Sequence, residues 1–326
     1  MSKKIGIVGP KGMVGSTMLK LLQHEYNIKG AEIVLFGRQD EKVDGMDIVE
    51  LSEANLQKIK PDFCLFAGGG DVSKIFAPIV AALGGIAIDN SSVFRMQEGI
   101  ELIVPEVNGD NLKNINGGAI IANPNCSTTQ AVVPLKALDK AFKLKRVIYS
   151  TYQAVSGSGK GGIDDYSNTK NGDKNTFYPH RIYNNLIPQI DVFMDNNYTK
   201  EEMKMIDETK KILERDDLMV TATCVRVPII NCHSISINAE FEKEVKREEV
   251  LKVLKAQKGV VLIDDDKNNN YPMPIDFDGI DEVGVGRVRI DTSNKKAINF
   301  FCVADNLRKG AAANCIQILH LLYKGV

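Results

Sequence analysis

The chain has 326 residues, long enough for two hydrophobic cores, and an ordinary globular composition with 44% hydrophobic residues. Its 41 Lys and Arg nearly cancel its 42 Asp and Glu, so no global field draws it to nucleic acid or to an anionic membrane, and any recognition of charge must be local. The first residues run straight into a strand-like segment without the apolar core of a signal peptide, and no apolar run reaches membrane-span length, which makes the cytoplasm the expected compartment.

Lys4 to Val8 is an apolar run that stops at Gly9, and Val14, Met18, Leu21 and Leu22 then recur at helical spacing. Ile33 to Phe36, Phe63 to Ala67, Ile86 to Ile88 and Ala119 to Ala122 are further strand candidates, with helical stretches such as Val72 to Leu83 among them. This alternation predicts an α/β unit with a doubly wound, mainly parallel sheet. After about residue 126 the pattern changes. Arg146 to Tyr152, Met219 to Val227, Ser234 to Phe241, Val285 to Ile290 and Ala297 to Ala304 read as strands, and Ser234 to Ile237 alternates with period two. A second, C-terminal α+β domain is therefore expected, with a mostly antiparallel sheet and a solvated or interface face. Lys309 to Tyr323 reads as a closing helix.

Six cysteines (64, 126, 224, 232, 302 and 315) show no CxxC pair, and several sit in apolar runs, so most should be reduced, buried, small hydrophobes; no metal site is read from them. Thr199-Lys200-Glu201-Glu202 fits a capping box ahead of the stripe Met205, Ile206, Thr209 and Leu213. Glu202 is thereby occupied, while Glu201 and Lys204 lie three apart on one flank, the spacing of an exposed ion pair.

Two segments carry chemistry. Gly9-Pro10-Lys11-Gly12-Met13-Val14-Gly15 places three glycines between a strand and a helix, where backbone can approach a pyrophosphate and the helix N-terminus favours its charge. In this context the turn reads as the Rossmann-like signature of a dinucleotide site, the alternative being glycines that only permit tight helix–sheet packing. The second strand ends in Phe36-Gly37-Arg38-Gln39, and an arginine there suits a 2′-phosphate and hence NADP, with Asp40 and Glu41 leaving NAD open. The other segment is Asn123-Pro124-Asn125-Cys126-Ser127-Thr128, between a strand and the helix-compatible run Gln130 to Leu138. A thiol at a helix N-terminus is favoured as thiolate, and neighbouring backbone N–H groups could bond an oxyanion. A proton-transfer partner must come from His24, His180, His233 or His320; the first and last fall in helical stretches, and spacing does not choose between His180 and His233.

These residues resemble the aspartate-semialdehyde dehydrogenase family of the glyceraldehyde-3-phosphate-dehydrogenase-like fold group, over nearly the whole chain. The markers are Gly9 to Gly15, Asp89-Asn90-Ser91-Ser92-Val93-Phe94-Arg95, Val104-Pro105-Glu106-Val107-Asn108, Asn123 to Thr128, Tyr152-Gln153-Ala154-Val155-Ser156-Gly157, Cys224-Val225-Arg226-Val227-Pro228 and Asp305-Asn306-Leu307-Arg308-Lys309-Gly310-Ala311-Ala312. The resemblance implies that Cys126 attacks an aldehyde, His233 is the acid-base partner and Gln153 orients the substrate. It also implies that Arg226 holds a carboxylate, Glu201 an ammonium, Arg95 with Lys204 a phosphate, and that Asn125 lies at the substrate. On the cofactor side it implies Gly9, Lys11, Gly12, Met13, Val14, Arg38, Gln39, Ser156, Gly157 and Asn306, with NADP bound. The implied domains are a dinucleotide-binding domain at 1–126, with 306–326 packing back on it, and a catalytic and dimerisation domain at 127–305. The implied reaction is the reversible conversion of L-aspartate 4-semialdehyde and phosphate to L-4-aspartyl phosphate in lysine, threonine and methionine biosynthesis, in a homodimer. The alternatives are an N-acetyl-glutamyl-phosphate reductase, whose substrate has a blocked amine, and a Cys-His hydrolase.

Overall fold

The computed structural model describes residues 2–26, 28, 30–38 and 42–324, and the chain divides into two compact units. The first comprises Met1–Pro124 and Ala311–Val326, the second Asn125–Gly310.

The strands of the first unit are β1 (Lys3–Val8), β2 (Ala31–Gly37), β3 (Lys42–Val43), β4 (Met46–Glu50), β5 (Phe63–Phe66), β6 (Ile86–Asp89), β7 (Glu101–Leu102) and β8 (Ala119–Ala122). They form one sheet in the order β3-β4-β2-β1-β5-β6-β8-β7, parallel except at the β3–β4 edge. β5 and β6 are buried along their whole length, as strands covered on both faces must be, which is why they are apolar runs rather than alternating ones. The chain leaves β1 for β2 on one side and returns as β5 on the other. The C-terminal end of β1 is thus a topological switch point, where open α/β sheets bind ligands, and the Gly9 turn sits there. The closing helix begins at Ala313, after a wide turn over Arg308–Ala312, and Ala312, Ala313, Cys315, Ile316, Ile318 and Leu319 join the core of this unit.

The second unit holds β9 (Leu144–Gln153), β10 (Met219–Arg226), β11 (His233–Phe241), β12 (Val260–Leu262), β13 (Val283–Ile290) and β14 (Ala297–Ala304) in the order β10-β9-β11-β14-β13-β12. The three central pairings are antiparallel and the two edge pairings parallel. Helices Cys126–Phe142 and Arg247–Ala256 pack together, and the first also packs on β9, β11 and β14, while helix Lys200–Leu213 packs on it and on β10. The opposite face carries the alternate residues of β9, and Tyr152 there is 38% exposed with its ring 6.3 Å from that of Phe301. Among the described residues no helix is long and apolar enough to cross a membrane.

Candidate active site

Strand register assembles the centre. In the parallel β9–β10 pair Gln153 lies opposite Arg226, and in the antiparallel β9–β11 pair Tyr152 lies opposite Ser234, so Gln153 and His233 are level at the same end of the sheet. β14 pairs Ala304 with His233 and delivers Asn306 just beyond. All of Gln153, Arg226, His233 and Asn306 are buried. Asn306 bonds in two directions: its Oδ1 accepts the Cys232 N–H at 3.0 Å and its Nδ2 donates to Ser156 Oγ at 3.0 Å. It thereby fixes the left-handed Cys232 (φ 70) that precedes His233, a backbone state costly for a non-glycine residue.

The imidazole of His233 has a defined proton. The Ala154 backbone N–H, which can only donate, meets Nδ1 at 3.0 Å, so in the neutral ring the proton resides on Nε2. Burial, helped by the neighbouring Arg226 guanidinium, holds His233 well below its usual range, so the ring is neutral at pH 7. Nε2 is buried and has no hydrogen-bond partner. It faces Gly157: a Cβ there would lie 3.0 Å from both His233 Nε2 and Arg226 Nη1, so a side chain would crowd these groups and anything bound to them. Arg226 Nη1 donates to Ala154 O at 2.7 Å, while its Nε, also buried, has no partner. The Nε–Nη2 edge is the side-on face of an arginine–carboxylate fork.

Cys126 is the first residue of helix Cys126–Phe142, whose N-cap is Asn125. Gln130, one turn later and so on the same face, donates from Nε2 to His233 O at 3.1 Å, which brings the thiol side of the helix to the imidazole strand. Gly310 closes the other flank, where a Cβ would sit 2.6 Å from Cys126 Cβ. Asn125 Oδ1 accepts the N–H groups of Ser127 (3.0 Å) and Thr128 (3.2 Å), and its Nδ2 donates to Glu201 at 2.8 Å. Cys126 is half-buried, whereas the other five thiols are buried, and burial pushes each of them up, Cys302 to about 12. Those five are held as neutral thiols.

Helix Lys200–Leu213 supplies the charges. Thr199 and Glu202 form a full capping box. Lys204 Nζ lies 3.1 Å from Glu201 and 2.9 Å from Asp191, and Glu201 is only 5% exposed. Burial alone would raise the Glu201 carboxyl, but Lys204, Asn125 and Arg226 together hold it below its usual value. Burial would likewise lower Lys204, yet Glu201 and Asp191 raise it. The pair is therefore ionised and mostly removed from water.

In the first unit the glycine turn has the geometry a pyrophosphate needs. Gly9 is left-handed (φ 78), its N–H donates to Phe36 O at 3.1 Å, and a Cβ would press on Ala67 O at 2.9 Å. A Cβ at Gly15 would overlap the Gly9 carbonyl. Gly12 caps helix Met13–Lys20 without a side-chain hydrogen bond, so no side chain covers the first-turn N–H groups of Met13 and Val14 from the cap position. Lys11 is exposed in the turn, and Arg38 is exposed directly after β2. Arg95 is buried, with Nε donating to Asn123 O at 2.8 Å and Nη2 to Asn90 O at 3.0 Å.

Comparison with known proteins shows the family of the chain. The model described as "Semialdehyde dehydrogenase, NAD binding domain" matches residues 4–115, and "Semialdehyde dehydrogenase, dimerisation domain" matches 135–309. The aspartate-semialdehyde dehydrogenase of Aquifex aeolicus is 45% identical, with 99% of each chain covered, and that of Bacillus subtilis is 42% identical over 98% of this chain and 97% of its own. The crystal structure of aspartate semialdehyde dehydrogenase II from Vibrio cholerae, complexed with ASA, superposes with TM-score 0.91 at 39% identity, covering 99% of both chains. The chain belongs to the aspartate-semialdehyde dehydrogenase family. As a member of that family it is an oxidoreductase, with a nicotinamide-nucleotide-binding domain and a dimerisation domain.

Within this aspartate-semialdehyde dehydrogenase fold, the second unit holds Asn125, Cys126, Gln153, Ser156, Gly157, Glu201, Lys204, Arg226, His233 and Asn306, and the first holds Gly9, Lys11, Gly12, Met13, Val14, Arg38 and Arg95. Gln39, Asp40 and Glu41 lie outside the described residues. The geometry corrects two expectations. The N–H groups of Ser127 and Thr128 are taken by the Asn125 cap and are not open to an oxyanion; His233 Nε2–H is the donor available instead. The Glu201–Lys204 pair is not exposed, because Asp191 and Asn125 cover it. Ser156 and Gly157, expected with Asn306 on the cofactor side, lie against Asn306, His233 and Arg226. Gln130 and Gly310 were not singled out; the i, i+4 spacing of Gln130 from Cys126 was the signal available for the first.

Proposed function

We propose that the protein catalyses the NADP-dependent, reversible conversion of L-aspartate 4-semialdehyde and phosphate to L-4-aspartyl phosphate through a Cys126 thioester, serving lysine, threonine and methionine biosynthesis. The observation that carries this reading is the convergence at Gly157 of a neutral, proton-bearing His233 Nε2 and the Arg226 guanidinium, on the strand end that Gln130 ties to the Cys126 helix.

The Cys126 thiolate forms a C–S bond to the aldehyde carbon, and the carbonyl oxygen becomes an oxyanion. His233 Nε2–H donates a hydrogen bond to that oxygen, so no full proton transfer is required for the charge to be stabilised. Bound nicotinamide supplies the hydride acceptor. The resulting thioester is opened by a phosphate oxygen; the C–S bond breaks, thiolate is regenerated and His233 again holds the transient oxyanion. Arg226 presents its Nε–Nη2 edge to the substrate carboxylate and Glu201 accepts its ammonium, with Asn125 and Gln153 bordering the same site. Lys204, with Arg95, is assigned to phosphate, and the Asp191 carboxylate must then share Lys204 with it. Gly9, Gly12, Met13 and Val14 fit the pyrophosphate, and Arg38 fits the 2′-phosphate that favours NADP over NAD. The exposed side chains Leu186, Val192 and Phe193, with the open Tyr152 face, support a homodimer.

The test is NADP reduction with L-aspartate 4-semialdehyde in the presence and absence of phosphate, with NAD and with N-acetylglutamate semialdehyde as comparisons. Rapid turnover that needs phosphate, favours NADP and discriminates against the N-acetylated substrate is expected. Turnover independent of phosphate, or preference for the N-acetylated semialdehyde, would overturn the reading.

A further inference from the structure

Glu208 lies on helix Lys200–Leu213, two turns after Glu201 and so on nearly the same face, and it is 1% exposed. A carboxylate at such burial is costly unless a strong interaction repays it. Its Oε2 accepts the backbone N–H of Asn125 at 2.6 Å. Glu201, from the same helix, accepts the Asn125 side-chain amide at 2.8 Å.

The polar groups of Asn125 are in consequence fixed from both sides. Its Oδ1 caps the helix through Ser127 and Thr128, and its carbonyl accepts the Thr129 N–H at 2.8 Å and the Thr129 hydroxyl at 2.9 Å. Helix Lys200–Leu213 is itself anchored, since Thr209, the neighbour of Glu208, is within 3.0 Å of Tyr149 OH on β9, the strand that ends in Gln153. Thr128 Oγ1 also reaches Met205 Sδ at 3.4 Å. The residue just before the nucleophile is thereby referenced to the strand that carries Gln153.

We propose that Glu208 is a positioning residue for Cys126: its buried carboxylate holds the Asn125 backbone, and so sets the direction in which the thiolate leaves the helix N-terminus. The division of labour between the two carboxylates follows from their surroundings. Glu201 is shared with Lys204 and is assigned to the substrate ammonium, so its hold on Asn125 is subject to change when substrate arrives. Glu208 bonds a backbone group, which no substrate displaces, and keeps the nucleophile aligned while Glu201 is redirected. A charge-assisted bond to a main-chain N–H suits this task, because it fixes the position of the chain rather than of one side chain.

The inference rests on the assignment of Cys126 as nucleophile, and the experiment separates the two. Glu208→Ala, Glu208→Gln and Cys126→Ala are prepared as full-length protein, with thermal unfolding as a control and kcat and KM measured for the semialdehyde. Misalignment of a nucleophile by a fraction of an ångström to about 1 Å costs on the order of a hundredfold in rate. Glu208→Ala should lose about tenfold to a hundredfold in kcat per folded protein, with KM within about twofold. Glu208→Gln keeps an oxygen that can accept the Asn125 N–H and should recover most of that loss, a rescue that a role in charge or bulk stability would not give. The proposal fails if folded Glu208→Ala has wild-type kcat, if KM alone changes, or if the Gln variant is as slow as any unfolded or inactive Ala variant. Activity in Cys126→Ala would instead remove the nucleophile assignment on which it stands.

Discussion

Gly157 shows how narrowly the chemistry is packed at the residue scale. Its missing side chain is the space in which His233 Nε2 and Arg226 Nη1 meet. Arg226 presents one used edge, bonded to Ala154 O, and one edge whose Nε has no partner, so its guanidinium plane is set before a carboxylate arrives. Arg226→Lys keeps a cation but loses the planar fork, a charge-assisted loss of roughly 1.5–3 kcal/mol. Catalytic efficiency for the semialdehyde should therefore fall about tenfold to over a hundredfold, with little change in the phosphate KM. A loss confined to the phosphate KM would show that the arginine binds the other substrate. Cys126 stood out in the sequence from the other five cysteines because a strand and a helix-compatible run frame it. His233 was not separable from His180 by spacing; the fold separates them, since His180 is exposed and His233 is buried with one nitrogen held by Ala154. Glu208 carries no one-dimensional mark and Gln130 only its i, i+4 spacing from Cys126, because each matters through a backbone group brought to it from far along the chain.

At the scale of elements, helix Lys200–Leu213 is the frame on which the charged groups are spaced. Its capping box was readable from Thr199 and Glu202 alone, yet Glu202 does more than cap. Its Oε2 accepts the Thr199 N–H at 2.7 Å and its Oε1 accepts the Cys224 N–H of β10 at 3.1 Å, tying the helix start to the strand that ends in Arg226. Glu202→Ala strands two buried donors, each worth about 1–3 kcal/mol when unsatisfied. Chemical denaturation should show a loss of about 2 kcal/mol or more, and a loss under about 0.5 kcal/mol would contradict this account of the link. The long strands announced themselves by apolar runs and alternation, with ends shifted by at most two residues. β3, β7 and β12 did not, because they are edge strands of two or three residues defined by their partners, and neither did β4, which lies just inside the β3 edge and carries Asp47 and Glu50 among its five residues. The closing helix starts within a residue of where its periodicity suggested, but its first turn is wide rather than α-helical. Asp305 Oδ1 accepts the N–H groups of Leu307 (2.8 Å) and Arg308 (3.0 Å), starting a wide turn over Arg308–Ala312 before regular helix begins at Ala313.

At the scale of the whole molecule, the change from strand–helix alternation to period-two strands corresponds to two sheets of different kind, and it was visible because parallel, doubly covered strands and antiparallel, half-covered ones bury different faces. The buried site also leaves a signature in global stability. His233 is neutral in the fold with its proton affinity depressed by burial and by Arg226, whereas the unfolded chain takes up that proton below about pH 6.5. The unfolded state then binds more protons, so this contribution is fully present above about pH 6.5 and is lost as pH falls below it. His320, lowered by burial and by Lys324, acts in the same sense. Thermal midpoints of His233→Gln should depend less on pH than those of the wild type between about pH 6.5 and 5, and an unchanged dependence would mean that the ring is not buried as a neutral group. The charge recognition proposed above, invisible in a chain of formal net charge -1, falls to the Glu201, Lys204 and Arg226 cluster and to the Gly9 turn. The central claim is that catalysis passes through an acyl group on one cysteine. It is tested most directly by incubating the enzyme with L-aspartate 4-semialdehyde and NADP without phosphate, quenching in acid and mapping the modified peptide by mass spectrometry. The account predicts an acyl thioester on Cys126 that disappears when phosphate is added before the quench; an unmodified Cys126 during turnover, or an acyl group on another residue, would contradict it.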